Sequence, residues 1–228
     1  MNDFDTELYE KYEKLCKTRL SPNFILRDFM FSTEAAVAGH SNFPSDSAEQ
    51  VIESGKQLCS RVLEPILAKF GQFAITFGYQ GRDTIEREFS EQDKIDKKHS
   101  STPHHWDRGR FGYGENSAYA RVDIWPFCVE DGKVSKEEFA RWCMMNLDID
   151  LFMQWRRSNI FCITISPKPR RVWLEWVAPG DGDNGSNKIE FMGALYWNNE
   201  FPTIAAEQRP KFYPSATNGK MSWKPDAV

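Results

Sequence analysis

The sequence predicts an α+β domain, and three observations carry that prediction. Helix-periodic segments dominate the first third of the chain, whereas strand-like runs crowd the second half without regular helix–strand alternation. Hydrophobic residues make up 40% of the 228 positions and aromatics 14%, enough to fill one sizeable core. No GxGxxG follows a strand and no GxxxxGK[ST] occurs, which removes the two doubly wound nucleotide-binding folds that carry those motifs.

Residues 5–19 repeat Leu8, Tyr9, Tyr12, Leu15 and Cys16 at helical spacing, and Leu20-Ser21-Pro22 stops that helix. A short aromatic segment (Phe24, Leu26, Phe29, Phe31) leads to Ser32, an N-cap for Thr33–Ala38. Residues 46–70 form the clearest helix. Asp46 or Ser47 caps it, Val51, Leu58, Val62, Leu63, Ile66 and Leu67 build its apolar face, and Pro65 kinks or restarts it. After Gly71, Phe73–Phe77 is a buried strand, and Gly78-Tyr79-Gln80-Gly81-Arg82 a turn.

Residues 83–118 are polar and irregular, a long loop holding His99, His104 and His105; loops of this length inside a domain are usually functional. Tyr119–Trp125 alternates as a strand. Ser135-x-x-Glu138 opens a helix over 135–156. Asn159–Ile165, Arg171–Val177 and Lys188–Trp197 read as strands. The chain thus divides into an N-terminal helix (1–19), a single domain (20–200) and an extended, proline-rich tail (201–228).

The net charge of −4 gives no global basic field and argues against nucleic acid as a partner, despite the Arg108–Tyr113 run of cations and aromatics. No apolar stretch is long enough to span a membrane, and the acidic start is no secretory signal, so the expected location is the cytoplasm, with release by lysis if the protein acts on a cell wall. Five scattered cysteines without a CxxC read as reduced thiols, mostly small core residues.

The candidate metal ligands are His104, His105, Asp123 and Glu175, because imidazole and carboxylate donors on separate elements can converge on one cation. Neighbours on an extended chain point to opposite sides, so the His pair supplies one ligand, and His105 is preferred with His104 as the alternative. Asp123 stands between Val122 and Ile124, where a carboxylate must be paired or ligated if buried. Arg82 can hold a substrate carboxylate.

The segment Leu20-Ser21-Pro22-Asn23-Phe24-Ile25-Leu26-Arg27-Asp28-Phe29, followed by Ser32, Gly39, Asn42 and Pro44, resembles the opening of the zinc D-alanyl-D-alanine carboxypeptidase family, which shares its fold with the Hedgehog signalling domain. Val62-Leu63-Glu64-Pro65-Ile66, Ile75-Thr76-Phe77-Gly78-Tyr79-Gln80, Asp123-Ile124 and Trp173-Leu174-Glu175 continue the resemblance. It implies a central, mainly antiparallel sheet flanked by helices, with the 83–118 loop and the 135–156 helix as insertions.

It also implies zinc-dependent hydrolysis of a peptide bond beside a D-amino acid, with zinc (iron or manganese as alternatives) on His105, Asp123 and Glu175, and a peptide or small-molecule substrate near Arg82, Tyr79 and Trp173. The chain departs from the family at the residues that matter. Counted back from Asp123, the ligand histidine position holds Asn116; the third ligand position holds Glu175; the catalytic base position holds Val172; the substrate arginine position holds Gln80. The expected function is therefore a metal-dependent hydrolase with an altered site. The alternatives are an inactive binding or structural relative, or an intracellular metalloenzyme acting on nucleotides or modified bases.

Overall fold

A computed structural model describes residues 6–39, 42–44, 46–82, 84, 104–107, 118–177 and 188–194. Most of the 83–118 loop, including His99 and the Arg108–Tyr113 run, and the whole of the 201–228 tail lie outside these residues.

Helix α1 spans Thr6–Cys16, and a single 3-10 turn covers Leu26–Phe29. Helix α2 (Thr33–Ala38) starts where Ser32 accepts the Ala35 N–H. Helix α3 (Ala48–Leu58) starts where Ser47 accepts the Gln50 N–H. Pro65 has no N–H to return to the carbonyl four residues back. The helix widens there into a π turn over Cys59–Leu63 and resumes as α4 (Glu64–Phe70) with the proline in its first turn. Val51, Leu58, Val62, Leu63 and Ile66 are all fully buried, as the helical periodicity requires.

The strands are β1 (Phe73–Phe77), β2 (Ala120–Pro126), β3 (Leu151–Trp155), β4 (Phe161–Ile165), β5 (Val172–Val177) and β6 (Lys188–Ala194). They form one sheet in the order β1-β2-β4-β3-β5-β6. Every pairing is antiparallel except β3 with β5. Among the described residues two helices interrupt the strands: the short α5 (Phe127–Glu130) and α6 (Lys136–Asn146), which Ser135 caps through the Glu138 N–H.

The single helix expected over 135–156 is thus a helix followed by a strand. Leu147 turns to extended backbone at φ −115°, ψ 147°. Asp148 and Asp150 then stand where helix propensity is poor. From Leu151 the chain instead completes ladders to β4 and β5 on both sides.

The helices cover one face of the sheet. Val122, Ile124, Phe152, Phe161, Ile163 and Trp173 pack there against Leu58, Val62, Ile66 and Phe139 in the main core. The other face carries a second, smaller cluster of Met153, Cys162, Val172 and Leu174. No helix among the described residues is long and apolar enough to cross a membrane.

Candidate metal centre

The sheet register sets the site. Asp123 of β2 lies directly opposite Cys162 of β4, so both side chains leave the same face. That face is the one opposite the helices, because the neighbouring pair Ile124↔Phe161 points into the main core. The Cys162 thiol donates to Asp123 Oδ1 across 2.6 Å.

A bulge in β1 supplies the third wall. Ile75 pairs with Ile124, but Phe77 pairs with Asp123, so two residues of β1 oppose one of β2. The shift turns Phe77 to the Asp123 face, where its ring meets His104 edge-on at 4.5 Å. Gly78 follows. Its backbone runs so close to Phe29 that an added Cβ would lie 2.5 Å from the Phe29 carbonyl oxygen and 2.8 Å from its Cα. Only glycine permits that approach.

Segment 78–80 then pairs with the His pair. Gln80 N–H donates to the His104 carbonyl, His104 Nδ1 contacts the Gly78 carbonyl at 2.7 Å, and His105 Nδ1 contacts the Gln80 carbonyl at 3.0 Å. The two rings project to opposite sides. His104 turns toward Asp123, with Nε2 at 3.8 Å from Oδ1. His105 turns toward Asp46, with Nε2 at 3.2 Å from Oδ2, and its ring lies beside Tyr79. The alternation that limits the pair to one ligand holds, and the residue it directs to Asp123 is His104, not the preferred His105.

His104, Asp123 and Cys162 therefore form a group whose donor atoms all lie within 4.8 Å of one another. Burial, reinforced by the Arg121 cation, pushes His104 down to about 3, against hydrogen bonds to the Gly78 and Arg121 carbonyls that act the other way. The ring is therefore neutral near pH 7, and its contact with Asp123 is no salt bridge. A neutral ring has one N–H; with it on Nδ1 toward the Gly78 carbonyl, Nε2 carries a lone pair on the Asp123 side and the bond to the Arg121 carbonyl belongs to the protonated ring. Burial also raises the Asp123 carboxyl and the Cys162 thiol, while the Arg121 cation lowers both.

This donor set fits a metal. Zinc bonds of about 2.0–2.3 Å to N, O and S in a tetrahedron separate the ligand atoms by about 3.3–3.6 Å; the 3.8 Å N–O separation is near that range, and the 2.6 Å Sγ–Oδ1 hydrogen bond opens to it once the thiol gives up its proton. A histidine whose other nitrogen is held by a backbone carbonyl is the usual arrangement for a ligand imidazole. Thiolate and imidazole favour zinc over magnesium or calcium.

The other residues expected at the site are placed elsewhere. Glu175 pairs with Gln154, which pairs with Phe161, so it projects from the helix-covered face, with β4 and β3 intervening. There it accepts hydrogen bonds from Gln154 and from Arg156, the latter at 2.7 and 3.0 Å. Trp173 is likewise buried in the main core on the helix side. Tyr79 is 1% exposed and packs against Trp106, while Arg82 lies 3.6 Å from Asp46. None of these four approaches the His104–Asp123–Cys162 group.

Comparison with protein families, with characterised proteins and with solved structures finds no match to this chain. The chemistry of the site thus rests on its own geometry.

Cys162 is the member of this group that the sequence does not single out, since the five cysteines read together as mostly small core residues. A signal existed. In Phe161-Cys162-Ile163-Thr164-Ile165 the alternate positions Cys162 and Thr164 form a weakly polar stripe on a strand whose other side is wholly apolar. Trp106, in the same loop as the histidines, is fully buried, donates from Nε1 to the Arg121 carbonyl and packs on Phe29 at 5.3 Å. It anchors the histidines to the core.

Proposed function

We propose that this protein is a metal-dependent hydrolase of peptide or amide bonds, with zinc held by His104, Asp123 and Cys162. The observation that carries the reading is the convergence of a neutral imidazole, a carboxylate and a thiol at one nearly buried point, with the imidazole oriented by the Gly78 carbonyl. Three protein ligands leave a fourth tetrahedral position for water or substrate, which is the pattern of catalytic rather than structural zinc. Zinc bound there would polarise a carbonyl and lower the pKa of a coordinated water toward about 7.

The protein supplies the rest. His104 is held as the Nδ1–H tautomer, Phe77 shields one side of its ring, and Asp123 and Cys162 balance the charge of a divalent cation once deprotonated. The resemblance to zinc D-alanyl-D-alanine carboxypeptidases supports the same reaction class and a Hedgehog/D,D-peptidase-like fold, with Cys162 taking the place expected for a third ligand. The absence of any membrane-spanning helix among the described residues is compatible with a water-borne substrate.

A non-catalytic metal-binding protein is the second reading. It is favoured by Val172, an apolar residue where the resembled family has its base. Zinc-reconstituted protein assayed against D,D-dipeptides and muropeptides separates the two. The hydrolase reading expects turnover that a chelator abolishes and zinc restores. Stoichiometric zinc without turnover of any such peptide would leave the binding role.

A further inference from the structure

Cys162 differs from the other cysteines of the chain. Cys16, Cys59, Cys128 and Cys143 pack in the main core on the helix side, whereas Cys162 lies on the opposite face, in the metal group. No second cysteine stands on its face to close a disulfide with it, and all five thiols are free. The sulfur meets hydrogen-bonding groups instead. The Arg121 guanidinium hydrogen-bonds it, and Asp123 Oδ1 accepts from it at 2.6 Å. Two residues along the same face of β4 stands Thr164, directly opposite Arg121. Thr164 is 1% exposed, and its buried Oγ1 has no hydrogen-bond partner. A buried hydroxyl left idle beside a sulfur and a cation is a donor for an oxygen atom added to that sulfur.

From this we infer that Cys162 is a peroxide-sensitive ligand, which hydrogen peroxide converts to a sulfenate so that the metal leaves. The inference rests on the zinc site of the reading above and adds a redox control of that site. A metal-bound cysteine is a thiolate, the form that attacks peroxide. Peroxide is close to water in size and needs only the access that hydrolysis requires for water. The thiolate sulfur attacks one peroxide oxygen, and the O–O bond breaks as the S–O bond forms. Sulfur gives up two electrons, and the departing hydroxide takes a proton from solvent to become water. Arg121 stabilises the charge that builds on the departing oxygen, and Thr164 donates its O–H to the sulfenate oxygen. The soft donor is then gone, and His104 and Asp123 alone are too few ligands for zinc. Two equivalents of an external thiol reverse the step. The first displaces hydroxide to form a mixed disulfide on Cys162; the second releases the Cys162 thiolate and leaves as the external disulfide.

Zinc-loaded protein treated with hydrogen peroxide provides the test. A chromogenic chelator reads zinc release, and peptide mass spectrometry locates the added oxygen. The wild type is expected to release its zinc as one oxygen appears on Cys162, and to take zinc up again after dithiothreitol. Arg121→Met and Thr164→Val should bind zinc but release it about tenfold more slowly. Thr164→Ser, which keeps the hydroxyl, should match the wild type. Zinc retained under peroxide, zinc lost while the oxygen sits on another residue, or release from Arg121→Met and Thr164→Val at the wild-type rate would overturn the peroxide-sensitive ligand while leaving the metal centre standing. Failure of the wild type to bind zinc would overturn the metal centre and the redox control with it.

Discussion

At the scale of single residues, the site depends on which way two adjacent histidines point. His104 and His105 are chemically equivalent in the sequence, and both are buried. Only the pairing of segment 78–80 with residues 104–105 decides that His104 faces Asp123 and His105 faces Asp46. His104→Gln should therefore lose metal, and His105→Gln should keep it, as metal content of the two purified variants would show.

A second residue-scale prediction concerns acid stability. Glu64 accepts hydrogen bonds from Ser21 Oγ, Asn23 N–H and Asn23 Nδ2 at 2.7–2.8 Å. Burial alone would raise its pKa, but these bonds outweigh burial and hold it below its usual value. The unfolded chain then binds the extra proton, so the contribution of Glu64 is fully present above the ordinary glutamate range near 4.5 and is lost as pH falls through the lowered value. Glu64→Gln should flatten part of the fall in denaturation midpoint below about pH 4.5. An unchanged acid limb would show that the bonds contribute nothing to stability.

At the scale of elements, much was legible. Ser32, Ser47 and Ser135 cap the helices their sequence positions marked, and Pro65 restarts its helix as its missing N–H requires. Strands β1, β2, β4, β5 and β6 lie where the sequence reads strands, β2 by its alternation. What could not be read is register. A carboxylate on β2 meets a cysteine on β4 only because Asp123 pairs with Cys162. Glu175 is lost to the site because it projects from the other face of the sheet. A one-residue choice of face is invisible in an isolated strand buried on both sides, as β4 is. Helix α6 and strand β3 were fused for a related reason: apolar residues from Phe139 to Phe152 keep near-helical spacing, and only the ladders to β4 and β5 break it. The bulge and the glycine after it yield the element-scale prediction. Gly78→Ala should destabilise the fold by ~1–3 kcal/mol in denaturant titration, since the added methyl meets Phe29 backbone, which cannot swing aside. A neutral effect would show that this approach is not close.

At the scale of the molecule, one short crossover carries the chain from β4 past β3 to β5. Residues 166–171 leave β4, pass the start of β3 and enter β5 on its far side, parallel to β3. Asp150, which is fully buried, receives Arg170 through its backbone N–H and both forks of its guanidinium, at 2.6–3.1 Å. Arg171 takes φ 53° in the same link and reaches Asp148, while Arg61 ties the helical layer to the carbonyls of Asp148 and Ser166. Arg170→Met takes the guanidinium away from the buried Asp150 carboxylate and should cost ~3–5 kcal/mol. A loss below about 1 kcal/mol, the range of exposed ion pairs, would mean the crossover is held by its backbone bonds alone. The ladders of β4 to β2 and to β3 hold Cys162 opposite Asp123.

The most direct test of the account is the metal content of protein purified without added metal, by elemental mass spectrometry, on wild type, Cys162→Ala, Asp123→Ala and Glu175→Gln. The account predicts about one equivalent of zinc or another transition metal in the wild type and in Glu175→Gln, and its loss from Cys162→Ala and Asp123→Ala. A well-folded wild type that carries no metal and binds no added zinc, or metal retained by Cys162→Ala but lost from Glu175→Gln, would contradict it.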